Sequence, residues 1–297
     1  MLLHLNSSPA LPSRVVVLGA GGFVGAAVLK SLWRRKAPVL AVTHHDVDLL
    51  APDAGTTLAG MLRPDDALVA IAARAPCKNI RMLGDNVSII AAIVDALKKS
   101  PVAHVFNISS DAVYADSPAP LTEASTLAPD TLHGIMHLAR EVTFRSEVTC
   151  AYATLRPSLL YGASDPHNGY GPNRFRRLAN EGKDIVLFGE GEERRDHVFI
   201  EDVAELITRA IEWRSVGSLN IATGEVHSFR AIAEEVKAAS GRNIAITGSP
   251  RSGPMPHDGF RPFDISGCCA AFPDFRYTPL AVGIAKAQAE EFGTPNG

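Results

Sequence analysis

The stretch Arg14-Val15-Val16-Val17-Leu18-Gly19-Ala20-Gly21-Gly22-Phe23-Val24-Gly25 decides how the rest of the chain is read. Its apolar run has no alternation, so it predicts a strand over 14–18 covered on both faces, as strands of a parallel sheet are. A helix is predicted to follow at once, over 25–35, where apolar residues recur at three and four spacing. Each glycine between the two has a geometric reason. Gly19 permits the tight turn, Gly22 lets backbone approach a pyrophosphate, and Gly25 lets the helix pack close on the strand. The helix N-terminus then offers unpaired N–H groups and a positive dipole end to phosphates. Strand, glycine turn and helix together point to a dinucleotide site.

The same texture continues outward. Strands are predicted over 39–43, 67–72, 104–109 and 149–155, with helices over 86–99 and 132–145 between them, Pro101 marking the end of the first. Parallel neighbours need crossover connections, so the first half reads as doubly wound α/β. After Pro157 the chain becomes rich in turn formers, at 162–172 and again at 248–263, where Pro250, Pro254, Pro256 and Pro262 cluster. This implies a smaller lobe closing over the carboxyl edge of the sheet. The expected division is a dinucleotide-binding domain over 14–160, to which the chain returns at about 197–222, and a substrate lobe from 161–196 and 223–297.

Composition narrows the classes. The 297 residues carry 29 Lys+Arg and 32 Asp+Glu, a formal charge of −3, with no basic block to suit nucleic acid or an anionic membrane. The apolar stretch 15–29 is interrupted by four glycines and is short of the roughly 20 residues of a membrane span. Residues 1–13 lack the marks of a secretory signal and read as a loose extension, so the cytoplasm is the expected compartment. Cys77, Cys150, Cys268 and Cys269 show no metal-ligand spacing and read as reduced thiols.

Further segments carry a resemblance. Gly-x-x-Gly-x-x-Gly followed by Ile108-Ser109-Ser110-Asp111-Ala112-Val113-Tyr114, then Leu155-Arg156-Pro157-Ser158-Leu159-Leu160-Tyr161-Gly162, then Arg195-Asp196-His197-Val198-Phe199-Ile200-Glu201-Asp202-Val203-Ala204, is similar to the extended short-chain dehydrogenase/reductase family, the NAD-dependent epimerase/dehydratases. The resemblance implies a Rossmann sheet with a smaller C-terminal substrate lobe, and a homodimer through the helices over 86–99 and 132–145. It assigns to NAD or NADP the residues Gly19, Gly22, Phe23, Val24, Gly25, His44, Asp48, Ala72, His137 and Pro157. The second strand ends in Thr43-His44-His45 in place of an acidic residue that would bind an NAD ribose, and either histidine can meet a 2′-phosphate.

The family performs its acid–base work with Tyr-x-x-x-Lys, and here the pair is His133-x-x-x-His137. Spacing i, i+4 keeps both rings on one helical face. An imidazole near 6.5 is already poised at neutral pH, whereas an unperturbed tyrosine titrates near 10. His133 is one candidate for the proton-transfer group; Tyr114, Tyr161 and Tyr170 are others. A zinc site on the two histidines is disfavoured, since no Glu follows His133 and no third ligand is spaced for it. The resemblance makes Ser110 the catalytic hydroxyl beside Asp111, and gives Arg195, assisted by Arg194, and Arg261 to the diphosphate of a nucleotide-sugar. Ala112 stands where sugar-nucleotide dehydratases carry Glu, and Leu159 where epimerases commonly carry Asn. Two readings follow: an epimerase or ketoreductase of nucleotide-sugars, or a catalytically degenerate cofactor-binding regulator on the same scaffold.

Overall fold

In the computed structural model, which describes residues 1–293, strands β1 (Leu2–His4), β2 (Arg14–Leu18), β3 (Val39–Val42), β4 (Asp66–Ala70), β5 (His104–Ile108), β6 (Ala151–Pro157) and β10 (Ser215–Ile221) form one seven-stranded sheet. Its order is β1-β10-β6-β5-β4-β2-β3. Every pairing is parallel except that of β1 with β10. Successive residues of β2 feed opposite layers: Val15 and Val17 meet α1 (Phe23–Arg34) and α6 (Ile200–Glu212), while Val16 and Leu18 face α2 (Ala54–Ala59) and α3 (Ile80–Lys99). Burial on both faces is why these strands read as apolar runs without alternation. On the α3 side α4 (Leu132–Glu147) completes the layer, with Phe144 in that core.

The second lobe has its own core, in which Tyr161, Phe175, Phe199, Phe229 and Ile284 are buried. It is built on β7 (Leu159–Tyr161), β9 (Arg194–Phe199), β11 (Val226–Ser228) and β13 (Phe260–Arg261), with β8 (Ile185–Phe188) pairing β12 (Ile246–Ser249). Helices α5 (Pro172–Asn180), α7 (Phe229–Ser240) and α9 (Leu280–Phe292) cover it, while α8 (Ser266–Ala271) lies by the large sheet, Cys268 sharing its core. The chain goes back into the large sheet through α6 and β10. Asp196 ties the crossing points together, accepting from Ser158 Oγ at 2.7 Å, Thr223 Oγ1 at 2.9 Å and Gly224 N at 2.8 Å.

Two expectations are corrected. Residues 1–13 are not wholly loose: Leu2–His4 add a strand to the sheet, and His4 bonds Ser215 Oγ at 2.8 Å and the Ala271 carbonyl at 2.9 Å. Helix α3 starts at Ile80, six residues before the expected start, because Asn79 caps it by accepting from Met82 N at 3.0 Å. No helix among the described residues is long and apolar enough to cross a membrane.

Candidate active site at the carboxyl edge of the sheet

The glycine turn has the geometry its sequence called for. Gly19 has φ +94°, and a Cβ there would lie 2.7 Å from the Ala72 amide nitrogen. At Gly25 a Cβ would come within 2.1 Å of the Gly19 carbonyl, so only glycine lets α1 start this close to β2. Gly21 and Gly22 are exposed, and α1 starts after Gly22 with no side chain capping its N–H groups. A cavity of about 300 Å³ adjoins this turn, lined in part by Gly21, Gly22, Phe23, Ala26 and Ala163. Uncapped helix amides facing a glycine-floored opening fit a dinucleotide phosphate.

At the end of β3, His44 and His45 are exposed with ring centroids 3.8 Å apart. A carboxylate does approach this strand end, from Asp46, which the sequence reading passed over. It accepts from the Thr43 amide and hydroxyl, each at 2.8 Å, and is thereby engaged as the turn's cap. Asp48 is exposed and caps its own turn, accepting from Leu50 N at 3.0 Å.

The segment with Ser110 leaves β5 as a single 3-10 turn, Asp111–Val113. Ser110 Oγ accepts from Ala112 N at 3.2 Å and lies 3.3 Å from Asp111 Oδ1. Beneath it runs a buried chain of polar contacts. Ser109 Oγ donates to Glu141 Oε1 at 2.6 Å, and Arg156 forks onto Glu141 at 2.9 and 2.6 Å. The other arm of Arg156 donates to Tyr114 OH at 2.7 Å, which itself donates to Asn220 Oδ1 at 2.6 Å. Glycine governs the approach of α4 to this turn, since a Cβ at Gly134 would stand 2.1 Å from the Ala112 carbonyl. Thr131 caps the helix from the Gly134 amide at 3.1 Å. His133 is thus brought beside the Ser110 turn.

His133 and His137 meet edge to face, centroids 4.7 Å apart. Burial lowers the pKa of His133, with the Asp111 charge opposing. His137 is held well below the usual imidazole range by burial, then by His133 and the Arg140 charge. Both rings are therefore neutral at pH 7. Nδ1 of His133 accepts from the Cys77 amide at 3.4 Å, a contact with no signal in the sequence. Nδ1 of His137 is buried with no partner among the described residues.

The three tyrosines stand elsewhere. Tyr114 OH is engaged by Arg156 and Asn220, Tyr161 is enclosed in the second core, and Tyr170 OH accepts from Phe188 N at 3.0 Å. Of the arginines, Arg195 is half-buried and bonded to Glu193 at 3.3 Å, and Arg194 lies over the Phe260 ring. Arg261 is buried against the Ser110 turn. Its guanidinium meets Asp111 Oδ2 at 3.2 Å, the Asp111 carbonyl at 2.8 Å and Asp116 Oδ1 at 2.8 Å. Ala72 lies next to Gly19 and Pro157 at the end of β6, both at the carboxyl edge.

A family model described as the NAD dependent epimerase/dehydratase family matches residues 15–222, from β2 through the return strand β10. The chain belongs to this family. With it the chain is an extended short-chain dehydrogenase/reductase. Among relatives, this family member is 24% identical to the dTDP-4-dehydro-6-deoxy-D-allose reductase of Streptomyces bikiniensis, over 91% of its own length and 93% of the relative's. Among solved structures, the GDP-L-fucose synthetase from Naegleria fowleri bound to NADP superposes with a TM-score of 0.82 at 18% identity, covering 95% of this chain and 96% of that one. The UDP-glucose 4-epimerase of Thermus thermophilus in complex with NAD gives 0.79 at 21% identity, covering 93% and 97%. The epimerase/dehydratase fold is thus present along nearly the full chain.

Proposed function

We propose that this epimerase/dehydratase family member is an NAD(P)-dependent epimerase or ketoreductase of a nucleotide-activated sugar, with His133 as the group that exchanges a proton with the substrate oxygen. The observation that carries the reading is the seating of His133 on the first turn of α4, against the Ser110 turn, through the close approach that Gly134 allows. The uncapped amides of α1 and the turn from Gly19 to Gly22 would hold the cofactor pyrophosphate, and Nδ1 of His137 a ribose hydroxyl. A bound nicotinamide gives or takes a hydride at the sugar carbon. Ser110 Oγ orients the reacting oxygen. The Cys77 amide keeps the resting His133 ring as the Nε2–H tautomer, so Nε2 is the donor toward that oxygen. Taking up a substrate proton at Nε2 requires the ring hydrogen to be on Nδ1, which opens the long Cys77 contact.

Arg195, bonded to a single carboxylate among the described residues, brings positive charge to the diphosphate, and Arg261 joins it only on releasing Asp111 or Asp116. Support for a homodimer comes from Ile80 and Val87 on α3 and Ile135 and Val142 on α4, large apolar side chains left exposed on neighbouring helices. His133→Phe is expected to lower turnover about 10²–10⁴-fold while dinucleotide affinity stays unchanged. Assay of the variant with a panel of sugar nucleotides, alongside cofactor titration, checks this. Full turnover without the imidazole removes His133 from the mechanism.

A further inference from the structure

Arg140 lies one turn beyond His137 on α4 and is only 1% exposed. Among the described residues no carboxylate pairs with it. Its Nε donates to Asn107 Oδ1 at 2.6 Å, Nη1 to the Ala72 carbonyl at 2.8 Å, and Nη2 to the Ala70 carbonyl. All three acceptors are neutral. An enclosed guanidinium without a counter-ion is costly, and neutral acceptors satisfy its hydrogens without answering its charge. Holding two carbonyls and an amide oxygen does not require a full positive charge.

The place of that charge suggests its use. Ala70 ends β4, and Ala72 follows it, bonded through its amide to the Leu18 carbonyl at 2.9 Å and packed against Gly19. The guanidinium is therefore mounted on the carboxyl edge of β4, next to the glycine turn. Side chains on a helix lean toward its N-terminus, so Arg140 reaches back along α4 in the direction of His137 and His133. Both rings are neutral there, which leaves Arg140 as the fixed cation of this layer beside them. Glu141, the adjacent carboxylate, is taken up by Arg156 and does not neutralise it.

We propose that Arg140 is a positioning residue for the nicotinamide, whose fixed charge at the Ala70 and Ala72 carbonyls favours the reduced cofactor, with its neutral ring, over the oxidised one, with its cationic ring. The inference rests on the nicotinamide reading above. A unit charge acting through an effective dielectric of about 20 over about 12 Å shifts a charge-sensitive equilibrium of this kind by roughly tenfold.

The test is titration of the unaltered protein, Arg140→Met, Arg140→Gln and Arg140→Lys with the oxidised and reduced forms of NAD and NADP, without substrate, read by protein and nicotinamide fluorescence. The expected result is that the ratio of oxidised to reduced affinity rises roughly tenfold in Met and Gln and stays near the original in Lys. Gln can donate to the same carbonyls without charge, so it carries the test if the Met variant does not fold. Overturning results are an unchanged ratio in a folded uncharged variant, or both affinities falling together, which a structural role alone produces. If the unaltered protein binds neither form of either dinucleotide, the cofactor reading fails and this inference fails with it.

Discussion

Two arginines are buried in the layer between α4 and the sheet, and they differ in what answers their charge. Arg156, from β6, forks onto Glu141 with both groups nearly excluded from solvent. Arg140, one residue before that glutamate, has only amide and carbonyl oxygens. Geometry on the helix explains the division, because adjacent residues on a helix point about 100° apart and cannot serve the same partner. The first arginine makes a scaffold: through Glu141, Ser109 and Tyr114 it pins the turn that carries Ser110. The second leaves a net charge at the edge of β4. One pair is internally neutral and positions a hydroxyl, while the other cation remains available to act on whatever binds nearby.

Breaking the neutral pair has the largest expected effect. Arg156→Met strands the Glu141 carboxylate in the interior and is expected to cost about 3–5 kcal/mol, measured by denaturant unfolding. Arg140→Met leaves only neutral acceptors unpaired and is expected to cost less. Equal losses would erase the distinction between the two sites. A smaller effect is expected when both members of the pair go. Arg156→Met with Glu141→Leu replaces the ions by apolar groups of similar size, and most of the single-variant loss is expected to return. Failure to recover would show that Ser109 and Tyr114 depend on the ions for more than charge balance.

A further effect concerns pH and leaves both arginines charged. Burial lowers His104 to about 4 and His197 to about 3, and holds His137 well below its ordinary range. Each native pKa lies under the unfolded value near 6.5, so below that pH the unfolded chain binds more protons and stability falls. The loss from these groups starts near pH 6.5 and, for His104, is complete by about pH 4, at on the order of 1 kcal/mol per pH unit for each. Unfolding curves across pH 7 to 5 check the slope, and His104→Phe is expected to make it shallower.

The parts legible in sequence were those where one physical demand dominates. Strands buried on both faces read directly as apolar runs, and β2 matches its expected bounds. Gly19 and Gly25 were legible because steric demand admits no other residue there. The Leu2–His4 strand was not, since three residues carry no period and their partner is remote in sequence. Arg140 was hidden for another reason: an arginine within a helix ordinarily reads as a solvated face, and only the fold shows it turned inward. Asp46 and Arg261 were hard to place because a side chain's type does not reveal that its hydrogen bonds are already engaged, the one on Thr43, the other on Asp111 and Asp116. His133 was legible as a position, while the Cys77 amide that sets its tautomer was not.

The pairing of β1 with β10 also bears on the order in which this protein is assembled during translation. His4 and Ser215 are separated by 211 residues, so the first strand is synthesised long before its partner exists. At 5–20 residues per second the delay is roughly 10–40 s. Throughout that interval the nascent chain carries Leu2 and Leu3 beside a strand with no edge to join, and a helper that shields this segment has its window then. Closing this edge of the sheet therefore waits until Ser215–Ile221 has left the ribosome.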